Sequence, residues 1–133
     1  MSALGKYDRV SSILIERDLV GAHGYALGSD PKVFDFPKGI TRKAIAKAME
    51  TEGYKPANIW DLLDYGAKNP DEQRKYPIMA LGALVEVYDG QFAYFFVILL
   101  DIHGLQRCLE TNYVNIPLEE SQTDCTHQLG VRK

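Results

Sequence analysis

The chain has 133 residues, 25% of them charged and 46% hydrophobic, with a net charge of −3 and a pI of about 5.6. That length suits one domain around one core, and without a basic excess to neutralise phosphates, nucleic acid is a poor partner. The longest apolar run, residues 92–100, has nine residues, against about 20 for a membrane-spanning helix. The start, MSALGKYDRV, shows no charged-then-apolar signal pattern, so the expectation is a cytoplasmic protein with two reduced thiols.

Residues 7–20 place Val10, Ile13, Leu14 and Leu19 near one helical face, and Gly21 ends the pattern. Residues 21–39 hold four glycines and two prolines and read as a loop with a short strand at 32–36. Thr41 is a good N-cap for a second helix, whose stripe is Ala44, Ile45, Ala48 and Met49 and whose stop is Gly53. Pro56 forces an extended step at Lys55. Asn58 caps a third helix that buries Ile59, Leu62 and Leu63, and Gly66 closes it. Asn69, Pro70 and Glu72 then read as cap, first position and capping box of a short fourth helix, stopped by Pro77.

The period changes at residue 78. Residues 78–88 read as a strand, Asp89–Gly90 as a two-residue hairpin turn, and residues 91–100 as the partner strand. That partner is apolar on both faces, so both should be covered. Gly104 marks a turn, 105–111 a third strand, 115–124 a polar loop and 127–131 a last short strand. Helices followed by an antiparallel sheet make an α+β domain, with a helical part at about 1–77 and a β-rich part at about 78–133.

No phosphate-cradling glycine motif is present; the glycines of residues 21–28 are wrongly spaced and read as a flexible loop. His103, Cys108, Cys125 and His127 are zinc-type ligands, but their H-x4-C…C-x-H order departs from structural zinc spacings. The blander reading makes Cys108 a core residue and both histidines exposed. Cys125 with His127 or His103 is the thiol–base pair that a thiol enzyme would need. Asp61 and Asp64 read as a solvated helix side. Glu119, Glu120 and Asp124 offer fewer oxygens than the six to eight that calcium takes. Trp60 is expected to pack. Tyr113, within a polar run, is a candidate binding anchor.

Residues 53–82, GYKPANIWDLLDYGAKNP…YPIMALG, together with the later segment from Arg107 through Leu109 to Tyr113 and the close at Leu129, Gly130, Val131 and Arg132, resemble a family of small bacterial and phage-like proteins. These are the C-type-lectin-like variable proteins of diversity-generating retroelements. The resemblance spans roughly residues 50–133. Where the family has a tryptophan- and aspartate-rich stretch, this chain has NIPLEESQTDCTH, and Gln128 stands where the family often has an aromatic.

The resemblance implies a C-type-lectin-like fold and a non-enzymatic domain that displays variable side chains to a protein or surface ligand, without a cofactor. The ligand-facing residues it suggests are Asp101, His103, Gln106, Tyr113, Asn115, Asp124 and His127. The competing expectations are a zinc-dependent or thiol enzyme on His103, Cys108, Cys125 and His127, and an oligomerisation module using residues 92–100 as its interface.

Overall fold

The computed structural model describes residues 7–10, 28–90, 92–114, 120 and 122–133, with the side chains of 83–89, 92–95 and 113 outside that description. Its strands are β1 (Arg9–Val10), β2 (Lys32–Asp35), β3 (Ile40–Thr41), β4 (Tyr54–Pro56), β5 (Ile78–Asp89), β6 (Phe92–His103), β7 (Gln106–Val114), β8 (Gln122–Thr123) and β9 (His127–Arg132). Among the described residues, two helices of ten residues, α1 (Arg42–Thr51) and α2 (Ile59–Lys68), and a 3-10 turn at Glu72–Arg74 interrupt them. No helix among the described residues is long and apolar enough to cross a membrane.

The main sheet has seven strands in the order β1-β7-β6-β5-β9-β2, with β4 also paired to β9. It is mixed: β1 runs parallel to β7, and β5 meets β9 in parallel at Met79 and Gln128. Gly130 stands opposite both Lys32 and Pro56, so β2 and β4 flank β9 on its two sides. A second, two-stranded sheet pairs β3 with β8.

This overturns the expected succession of helices and then an antiparallel, C-type-lectin-like sheet. Strands dominate, and the first half of the chain contributes β1, β2 and β4 to the same sheet as the second half. Those strands have two to four residues, too few to show a period of two. Arg9 and Val10, expected in a first helix, pair with Cys108 and Leu109 instead; residues 11–20 of that expected helix lie outside the described residues. The expected fourth helix is only the 3-10 turn, and Asn69 caps the end of α2 rather than starting it. The hairpin ladder closes at the pair Asp89 and Phe92, so Asp89 ends β5 instead of standing in the turn, and Gly90 follows it at φ 63°.

The core is built on alternation in β6. Ile98 and Leu100 face one side, with Ile78, Ala80, Leu109 and Leu129, and α2 covers them with Leu62 and Leu63. Val97 and Leu99 face the other side, with Met79 and Leu81, and α1 covers them with Ile45 and Met49. Both faces of the sheet are thus covered, as a strand apolar on both sides requires. Residues 97–100 are spent in this core, which removes them as the oligomerisation interface considered from the sequence.

Asp61, expected to be solvated, is buried. Its carboxylate accepts from the backbone N–H of Asn58 (3.0 Å) and of Gly28 (2.7 Å), while Asn58 Oδ1 accepts from Asp61 N. This is a capping box that also fixes the entry to β2.

Between Ala80 and Leu84 the register of β5 against β6 shifts by three residues. Gly82 lies in the shift, and its N–H donates to Ala57 O at 2.9 Å. A Cβ there would stand 2.6 Å from that same carbonyl. Gly82→Ala is therefore expected to cost about 1–3 kcal/mol, seen as a lower urea midpoint with an unchanged slope.

Tyr7 ties β1 to α2: its buried hydroxyl donates to Leu63 O at 2.9 Å, and Arg107 lies 5.0 Å over its ring. Burial pushes its pKa up to about 12. A phenol whose pKa is raised on folding gives stability that is complete below pH ~10 and is lost as pH rises toward the folded value. Wild type should lose roughly 2 kcal/mol more than Tyr7→Phe between pH 9 and 12, measured by urea unfolding at both pH values.

Candidate functional site

The start of α1 carries an electrostatic anomaly. Thr41 caps it normally, its Oγ1 accepting from Ala44 N at 3.2 Å. The first turn then holds Arg42 and Lys43 and no acidic residue, although the helix dipole favours anions there by about 0.3–1 kcal/mol. Arg42 reaches down to the sheet, where Nη2 donates to Leu81 O at 2.7 Å. Its Nη1 is buried and has no acceptor among the described residues. Burial pushes the guanidinium pKa below its ordinary value.

Arg42 walls a cleft of about 230 Å3. The cleft floor is the α1-side core, formed by Met79, Leu81, Val97 and Val114. Its rim comes from β7 and β8. Asn112 stands opposite Val97 on β7 and is exposed. The pairing of Ile40 with Thr123 and of Thr41 with Gln122 holds β8 beside the helix start, which brings Gln122, Thr123 and Asp124 to the same opening. Thr123 is itself fixed: its Oγ1 accepts from Cys125 N at 3.1 Å. On its other side Arg42 borders a more open groove of about 480 Å3 with Lys43 and Lys55.

The residues suggested from the sequence are not brought together in one place. Asp101, His103 and Gln106 lie at the β6–β7 hairpin. Asp101 Oδ1 accepts from Ile102 N at 2.8 Å, and its carbonyl accepts from the buried Gln73 Nε2 at 2.6 Å. His103 and Gln106 face each other across the turn, both exposed. The cleft receives one of the others. Asp124 is exposed and lines it. Tyr113 lies in β7 opposite Phe96, its side chain outside the description, and Asn115 is outside the described residues. Six residues separate Gln106 from Asn112 along β7, roughly 20 Å at strand rise, so the hairpin group does not share the cleft.

His127 lies at neither place. Its ring stacks on Tyr76 at 3.7 Å, and Nε2 lies 3.9 Å from Asp35 Oδ1. Gln128 is wholly buried and donates from Nε2 to Cys125 O at 2.7 Å.

The four zinc-type residues are not assembled. β7, which carries Cys108, and β9, which carries His127, have β6 and β5 between them, about 14 Å at ordinary strand spacing. No group of three or more His, Cys, Asp or Glu among the described residues is placed to hold a metal ion. Burial pushes both thiols up in pKa. Cys125 Sγ donates to the carbonyls of Pro77 (3.6 Å) and His127 (3.5 Å), not to a ring nitrogen. A thiol held protonated is a poor nucleophile.

Arg42, Asn112, Gln122 and Thr123 were not singled out from the sequence. The readable signal was Arg42–Lys43 directly after a capping threonine, cations where a helix start prefers acids. The convergence of β7 and β8 on that point is tertiary and leaves no local pattern. No protein-family model, curated protein or solved structure matches this chain.

Purified protein dialysed against micromolar zinc is expected to retain well under one equivalent by elemental analysis. Stoichiometric zinc lost on Cys125→Ala would restore the metal reading.

Proposed function

We propose that the chain is a non-enzymatic ligand-binding domain, with the mouth of the Arg42 cleft as its recognition site and the exposed residues around it as its variable display. One observation carries this reading: an apolar floor and a polar rim converge beside the Arg42 side chain on one opening. Such sites orient ligands with a few placed polar groups over apolar surface. The floor belongs to the closed core, so the opening is preorganised and binding needs little ordering. The rim residues Asn112, Gln122 and Asp124 are exposed, and exposed substitutions usually change stability by within about ±0.5 kcal/mol. The rim therefore tolerates replacement, as the resemblance to retroelement variable proteins implies.

The test is deep sequencing of codons 42–133 across the source population. Replacements are expected to concentrate at Asn112, Gln122 and Asp124, above the rate at exposed positions away from the cleft such as Lys68 and Asp71. Equal rates at the two sets would overturn the display reading.

A further inference from the structure

We propose that the open groove on the far side of Arg42 binds the phosphoryl group of a small phosphate monoester. This site adds to the cleft and does not depend on it. The groove has a volume of about 480 Å3, within the roughly 300–1,000 Å3 of small-ligand sites. Besides Arg42, α1 walls it with Lys43 and Ala46, β4 with Lys55 and Pro56, and β5 with Leu81 and Gly82.

Charge is the first argument. Over the whole chain acids outnumber bases by 18 to 15, yet the described lining of this groove holds three cations and no acid. Lys32, Lys68, Lys75 and Lys133 each stand beside a carboxylate, at 2.9 to 3.9 Å. Lys43 and Lys55 are exposed, and neither has a carboxylate within 4.0 Å among the described residues. These two ammonium groups are the ones that touch the ligand, since each sits on a flexible stem in solvent. Arg42 is already held by Leu81 O, so it contributes field and no contact.

The chemistry of the cations is the second argument. An ammonium is a compact point charge that meets a phosphoryl oxygen from many directions, whereas a planar carboxylate gains most from an open guanidinium fork. A dianion also draws about twice the Coulomb energy from each lysine that a monoanion draws. Ala46 and Pro56, both half-buried, offer apolar surface to the organic part. A polyanion such as nucleic acid would meet the net charge of −3 over a wide surface. A single phosphoryl group meets only the local cations, because salt screens charges beyond about 8–10 Å.

The test is an amide NMR titration of the full chain with phenyl phosphate at fixed ionic strength and about pH 7.5, above the second phosphate pKa of about 6. Saturable shifts are expected at Lys43, Ala46, Lys55 and Gly82, with Kd on the order of 1 mM and weaker binding as salt is raised. Phenyl sulfate, a monoanion of similar shape, should bind at least about threefold more weakly. Lys43→Gln and Lys55→Gln should each weaken the phosphate ester about three- to tenfold, while the rest of the amide spectrum shows both variants folded. Lys47→Gln removes an exposed α1 lysine outside the groove lining and should leave Kd unchanged. Equal affinity for the two esters would overturn the phosphoryl class. A loss in Lys47→Gln as large as in Lys43→Gln would mean diffuse attraction to any surface cation and overturn the site. Absence of saturable shifts, or shifts confined to Asn112 and Thr123 in the cleft, would overturn the proposal and leave the display reading to the codon pattern.

Discussion

Four consecutive residues, Val97, Ile98, Leu99 and Leu100, have no polar side to offer to water. In a strand they point alternately to two faces, so one cover cannot satisfy them. Burying each side chain is worth about 1.5–3 kcal/mol, and the four together match the whole net stability of a typical domain. The position of everything else follows. α1 and α2 come from opposite ends of a short segment and settle on opposite faces. β4 lies between them in the chain and carries it alongside β9, which lets two neighbouring helices reach both sides.

Against that term the arrangement at Arg42 is inexpensive. A buried nitrogen without an acceptor costs about 1–3 kcal/mol, and a cation at a helix start costs about 0.3–1 kcal/mol. A core of this size absorbs both. Natural sequences keep such local conflicts chiefly where a site needs them, and here the conflict sits at the mouth of a cleft whose floor is that same core.

How much was legible in the sequence depended on range. Short-range physics was readable: the Thr41 and Asn58 caps, the turn near Gly90, and the two-sided burial of the second half of β6. What failed needed partners far along the chain. A strand as short as Tyr54–Pro56 has no pattern of its own and exists because β9 supplies its hydrogen bonds. Asp61 looked solvated because its second partner, the N–H of Gly28, is 33 residues away. For the site, residue chemistry alone drew attention to histidines and cysteines, which the fold does not assemble into a metal-holding group. The cleft instead uses Arg42, Asn112 and Gln122, ordinary residues whose importance lies in where β7 and β8 carry them.

The placement of β9 has a consequence for how the chain comes to its fold. It is the hub to which β2, β4 and β5 are all joined, yet it is made after each of them. During synthesis β2 and β4 remain open edges, with backbone donors and acceptors exposed, until residues 127–132 emerge. The pairing of Lys32 with Gly130 closes a loop of nearly the whole described chain. Closure over such sequence separation is slow compared with helix or hairpin formation, and unpaired edges are where nascent chains associate wrongly. The joining of β2 and β4 to this sheet is therefore a late event, and its hazard lies in the interval before the hub arrives.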